Sequence, residues 1–205
     1  MANSGGMIGR IKAILTRPKS EWQAIDAEPA TVGGIMTGWV VPLAAIAPIA
    51  SVIGLSVFGH NMFGVNYKPP IGNLVTMAVV SYVLGLVGVY VLALVINALA
   101  TSFGGQKNMV QAMKVAAYGS TAGYLVGIFQ LYPPLGILAI LGLYNLYLIY
   151  TGLPILMKVP QEKAVGYIIV AILVMIVVYI VIGALAASLT AAFAPQTLSP
   201  AMFAP

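Results

Sequence analysis

The chain has 205 residues, 61% of them hydrophobic and 6% charged, with a mean hydropathy of +1.03 and a formal net charge of +5. A soluble domain carries roughly a quarter charged residues, so this composition cannot cover a water-facing surface and indicates an all-α polytopic membrane protein. The lack of cysteine excludes disulfides, thiolate metal sites and a cysteine nucleophile, and the positive charge is read as topology and contact with anionic lipid rather than nucleic-acid binding.

Residues 1–31 are predicted to form a basic cytoplasmic lead-in. Within it, Met7, Ile8, Ile11, Ile14 and Leu15 share one stripe of a short amphipathic helix suited to an anionic leaflet. Arg10, Lys12, Arg17 and Lys19 flank that stripe, and Pro18 ends the helix. A second short helix follows around Glu21–Ile25, capped by Ser20, with Trp22 expected in the headgroup zone. Pro29 stops it and Thr31 caps what comes next. No apolar core with a small-residue cleavage site occurs in this lead-in, so the first membrane helix is expected to be its own insertion signal.

Residues 32–193 are predicted to be a transmembrane domain of five helices, each near the roughly 20 apolar residues that a crossing requires. The first runs from about Gly34 to Phe58 despite Pro42 and Pro48. The second, about Asn73 to Ser102, exceeds the hydrocarbon thickness and should tilt or project. The third becomes apolar from Val115 to Tyr132, with Lys114 snorkelling at its polar start. A turn at Tyr132-Pro133-Pro134 leads to the fourth, which ends near Tyr150, or near Met157 if Pro154 only kinks it. The fifth runs from about Ala164 to Ala192. Residues 194–205 are read as an uncharged disordered tail.

Basic residues near helix ends stay cytoplasmic. Arg10, Lys12, Arg17 and Lys19 precede the first helix, Lys107 and Lys114 fall in the second connection, and Lys158 and Lys163 in the fourth. Only Lys68 stands on the other side. The pattern predicts a cytoplasmic N-terminus and a C-terminus outside.

Gly119, Gly123 and Gly127 recur every four residues and form a groove where a second backbone can approach closely. The groove serves packing within the bundle or a homodimer face. Asn97, Tyr118, Gln130, Asn145 and Tyr147 are neutral polar residues at membrane depth. They read as interhelical hydrogen bonds and interface anchors, or as the lining of a polar cavity in a small transporter or channel. No acid lies in any predicted span, which argues against proton coupling. His60 has no neighbouring acid or cysteine, and no metal site, cofactor or catalytic set is expected.

Two segments carry a resemblance. Pro18-Lys-Ser-Glu-Trp22-Gln-Ala-Ile25 resembles the entry of the bacterial branch of the Yip (Ypt-interacting protein) family. Ala117-Tyr118-Gly119 through Tyr132-Pro133, and Gly142-Leu-Tyr144-Asn145 through Pro154 to Pro160, resemble that family's third and fourth helices. The likeness spans roughly residues 10–190. It implies a five-helix inner-membrane bundle with a cytoplasmic N-terminus and an exposed C-terminus. The Rab-linked trafficking role of eukaryotic relatives is not carried over, because their longer N-terminal region has no counterpart in a lead-in of about 30 residues. The reading is therefore a non-enzymatic membrane-organising or partner-binding protein. Its expected partners are the bilayer, anionic headgroups, and a second copy or another membrane protein.

Overall fold

Prolines divide the lead-in as the sequence indicates. The residue before a proline is pushed out of the helical region, and Arg17, with φ −140° and ψ 56°, ends helix α1 (Gly6–Thr16). Pro18 opens helix α2 (Pro18–Ala27), where its missing N–H leaves no helical bond unmade. Glu28 is extended ahead of Pro29 and closes α2. These assignments come from a computed structural model, which describes residues 6–62 and 65–193. The expected tail, residues 194–205, lies outside the described residues, as does the side chain of His60.

Helix α3 (Val32–Phe58) begins with Thr31 as its cap, the hydroxyl accepting from Gly34 N at 3.0 Å. A proline inside a helix removes one N–H and crowds the carbonyl four residues back. α3 answers twice. A five-residue π turn, Met36–Val40, precedes Pro42, and the helix breaks at Ala45, just after the carbonyl that Pro48 would crowd. The connection that follows is a hairpin, β1 (His60–Met62) against β2 (Val65–Tyr67), antiparallel with His60 opposite Tyr67. The pair is confined to a connection and leaves the bundle all-α, as expected. Lys68 donates from Nζ to Val57 O at 2.7 Å, tying the hairpin to the C-terminal end of α3.

Helix α4 (Ile71–Leu99) is unbroken over 29 residues. The third segment is not. It comprises α5 (Met109–Gly119), a break at Ser120, α6 (Thr121–Val126) and a 3-10 stretch over Gly127–Leu131. Ser120 donates to Ala116 O at 2.7 Å and Thr121 to Tyr118 O at 2.6 Å, a side-chain competition that loosens a helix. Tyr132, extended before Pro133, turns the chain. Helix α7 (Pro133–Leu156) is 3-10 as far as Leu143 and α-helical beyond, with Pro154 held inside it. Helix α8 (Gln161–Phe193) follows.

Among the described residues, four helices are long and apolar enough to cross a membrane: Val32–Phe58, Ile71–Leu99, Pro133–Leu156 and Gln161–Leu185. The broken segment 109–131 is not one of them. Its ends nevertheless lie at opposite ends of the bundle. Gln106 N donates to Met157 O at 2.8 Å beside the lead-in, while Tyr132 packs edge-on against Phe58, centroids 5.0 Å apart, beside the hairpin. The core joins both lead-in helices to the bundle: Ile14, Trp22 and Ile25 belong to the same buried cluster as Trp39, Ala93, Met113 and Leu148.

Candidate functional site: a latched lead-in and an intramembrane cavity

The lead-in was expected on the membrane surface, and half of its stripe departs from that. Ile8 is 82% exposed, but Ile14 is fully buried and Ile11 and Leu15 pack against the core. Tyr144 donates from its hydroxyl to Leu15 O at 2.9 Å. Trp22 corrects the expectation most sharply. It is 0% exposed, and its Nε1 donates to Leu148 O and Thr151 Oγ1, each at 3.1 Å. An indole fully enclosed by protein does not set depth in the headgroup zone. Gly152 gives it room: a Cβ there would approach Trp22 Cε2 to 2.8 Å.

An ionic latch holds this arrangement. Arg10 makes a two-pronged bond to the Glu28 carboxylate, a geometry that suits the planar guanidinium. Its Nε lies 3.4 Å from Glu21 Oε1, an ion-pair contact without the alignment of a hydrogen bond. Its guanidinium carbon also lies 5.7 Å from the centre of the Tyr118 ring. The bond to Arg10 holds the Glu28 carboxyl below its usual range, against a smaller opposing effect of burial. The same bond raises Arg10 above its ordinary value. Arg10 was expected to meet lipid headgroups, and these inward bonds take up its charge instead. Lys12, Arg17 and Lys19 remain exposed.

Lys114 does not snorkel. It is 3% exposed, and its ammonium donates to Ile25 O at 2.6 Å and Glu28 O at 2.7 Å. These carbonyls lie at the C-terminal end of α2, where helix carbonyls have no intrahelical partner and a cation is favoured. Asp26 joins two further elements, accepting from Gln111 Nε2 at 2.8 Å and from Lys158 Nζ at 2.7 Å. Sequence reasoning passed over Glu28 and Asp26. The available signal was their crowding: three of the four acids, Glu21, Asp26 and Glu28, fall within eight residues of a chain that has almost no others.

The small-residue groove is occupied within the molecule. A Cβ on Gly119 would meet Ile149 at 2.7 Å, one on Gly123 would meet Asn145 Nδ2 at 2.5 Å, and one on Gly127 would meet Ala47 Cβ at 2.6 Å. Gly119 and Gly123 thus receive α7, and Gly127 receives α3. Gly123 N, in the first turn of α6 where helical N–H groups lack partners, donates to Asn145 Oδ1 at 3.0 Å.

The five polar residues expected to converge do so only in part. Gln130 and Asn145 line a cavity of about 490 Å3, together with Ser51, Ser81, Tyr82 and Tyr124. Tyr118 instead stacks on Trp39 with centroids 4.7 Å apart. Tyr147 packs against Tyr144 and is exposed. Asn97 keeps a buried Oδ1 that no described residue satisfies. Neither Asp, Glu, Lys, Arg nor His lines the cavity.

Comparison with known proteins places the chain. The model of the Yip1 domain matches residues 12–194. The chain belongs to the Yip1 domain family. This match takes in α2, with the Glu21 and Glu28 side of the latch, and every membrane helix of the Yip1-domain chain, while Arg10 lies just ahead of it. It is also 28% identical over 165 residues to the inner membrane protein YohC of Escherichia coli strain K12, covering 78% of this chain and 85% of that protein. YohC of Escherichia coli O6:H1 is similar to the same extent. No solved structure matches.

Proposed function

We propose that this Yip1-domain protein is a non-enzymatic, five-crossing protein of the inner membrane whose lead-in face organises anionic lipid or a membrane partner. The observation that carries the reading is the distribution of unpaired cations. Arg10 and Lys158 are taken up by acids and Lys114 by carbonyls. Lys12, Arg17, Lys19, Lys107 and Lys163 are exposed and make no ion pair among the described residues. All five stand at the lead-in end of the bundle, where positive charge marks the cytoplasmic side, and Lys68 stands apart at the hairpin end, bonded to Val57 O. Segment 109–131 supports the fifth crossing, since its helical and 3-10 parts give about 37 Å of rise, enough for a hydrocarbon core of about 30 Å. The N-terminus is then cytoplasmic and the C-terminus outside. The localisation draws on the name of the YohC relative. The carrier alternative is weaker, because Tyr118 and Tyr147 are engaged away from the cavity and Asn97 does not line it.

The test is vesicle binding of the purified protein with Lys12, Arg17 and Lys19 changed to Gln. Each cation near an anionic surface contributes about 1 kcal/mol, so recruitment of anionic lipid around the protein should fall steeply while folding is kept. Unchanged enrichment of anionic lipid would refute the surface role, and reporter fusions placing both termini in one compartment would refute the fifth crossing.

A further inference from the structure

The cavity beside Asn145 has a second chamber. A space of about 240 Å3 lies between α4, α7 and α8, and Ser120, Asn145 and Tyr179 line both chambers. Their chemistry differs. The first holds Ser51, Ser81, Gln130 and Tyr124; the second is walled largely by Ile149, Ile168, Ile172, Met175 and Ile176. Along α4 the pair extends from Leu74 to Ile96, about 33 Å of helix at 1.5 Å per residue.

Hydrogen-bonding capacity is left over where the chambers meet. Asn145 commits its Oδ1 to Gly123 N, and its Nδ2 makes no hydrogen bond among the described residues. The Tyr124 hydroxyl is buried and unpartnered: nearby Ser120 does not meet it with hydrogen-bond geometry and gives its own proton to Ala116 O. A buried hydroxyl without a partner costs roughly 1–3 kcal/mol, a penalty that a bound hydroxyl or carbonyl would remove. No ionised side chain lines either chamber, so a charged headgroup would lose its hydration with no counter-charge in return.

The route in is also visible. Pro48, Ala78 and Tyr82 line the polar chamber and, on their other side, an apolar recess of about 420 Å3 bounded by Ile49, Ile53 and Val79. Those three residues are among the exposed apolar side chains of the bundle. Pro48, Ala78 and Tyr82 thus stand between the polar chamber and the lipid-facing flank, and a ligand dissolved in the bilayer reaches them directly.

We infer that the two chambers form a binding site for an uncharged amphiphile taken from the membrane. Its hydroxyl-bearing head would lie against Asn145 and Tyr124, and its acyl chain along α8. This goes beyond the proposed surface role and would stand if that role failed. The test uses the full-length protein in phosphatidylcholine vesicles with a photoreactive monoolein carrying a diazirine in its chain. Saturable labelling of α4, α7 and α8 is expected, displaced by plain monoolein but not by lysophosphatidylglycerol or glycerol. Gly85→Leu should abolish the saturable component, because Gly85 lines the polar chamber and a Cβ there meets open space. Should that variant fold poorly, Ser81→Leu fills the same chamber from one turn away. Labelling that never saturates, that survives both variants, or that lysophosphatidylglycerol displaces equally would overturn the assignment, and displacement by glycerol would mark an aqueous site instead.

Discussion

Trp22 seats its indole on Gly152 while its Nε1 bonds Leu148 O and Thr151 Oγ1, joining positions 126 and 129 residues apart in sequence. Three substitutions separate the contributions. Trp22→Phe keeps most of the ring and loses one shared donor, at a cost of about 1 kcal/mol. Gly152→Ala forces the ring away from α7 and should cost about 1–3 kcal/mol. Trp22→Ala empties the site and should cost about 3–5 kcal/mol. Thermal unfolding in detergent, followed through Trp39 fluorescence, should rank them in that order.

The Arg10–Glu28 pair gives the lead-in a dependence on acid. Arg10 lowers the Glu28 pKa in the folded state. A depressed carboxyl contributes stability that is present above its unfolded pKa, near 4.5, and lost as pH falls through the lower folded value. Protection factors of residues 6–28, which correct for the slower intrinsic exchange of amides in acid, should therefore stay high at pH 7 and fall as pH drops below about 4.5. In Glu28→Gln the same segment should exchange faster at neutral pH and lose most of that pH response.

Lys158 sets two small effects against each other. It has φ 56°, a left-handed conformation that favours glycine, and it pairs with Asp26 at 2.7 Å with half of its side chain exposed. An exposed pair contributes about 0–1 kcal/mol, and relief of such backbone strain about 1 kcal/mol. Lys158→Gly should thus be nearly neutral in the native background. In an Asp26→Asn background, where the pair is already broken, it should raise the unfolding midpoint.

Glycines should sort by what faces them. A Cβ on Gly54 would lie 2.1 Å from Gln130 O, and one on Gly127 would lie 2.6–3.1 Å from Ala47 Cβ, Cα and N. Both obstacles include backbone, which cannot swing aside. Gly54→Ala and Gly127→Ala should lower the yield of monodisperse protein sharply. Gly72→Ala and Gly183→Ala meet nothing within 4 Å and should leave it unchanged. Size-exclusion profiles of the four variants make the comparison.

Much of the architecture could be read from local chemistry. Pro18, Pro29, Thr31 and the Tyr132-Pro133-Pro134 turn all act where the sequence places them, because proline geometry and capping are properties of a few neighbouring residues. The third segment was harder, since its hydropathy gave no sign that Ser120 and Thr121 would turn on their own backbone carbonyls. The destination of Trp22 was harder still. An amphipathic aromatic satisfies a headgroup layer and a protein pocket equally well by composition, and only Gly152 and Thr151, more than a hundred residues away, decide between them. Within the polar set, Asn145 faces the cavity beside Gln130 because helix α7 packs on Gly123. Tyr118 was not, because its neighbours Trp39 and Arg10 come from other segments.

The wedge formed by α2 also orders assembly in time. The lead-in leaves the ribosome well before Leu148, Thr151 and Gly152, from which its seat is built. Until α7 is in place, the Trp22 indole has no partner for its Nε1. A segment made ahead of α3 is thus fixed only after α7, so docking of the lead-in reports the arrival of that helix.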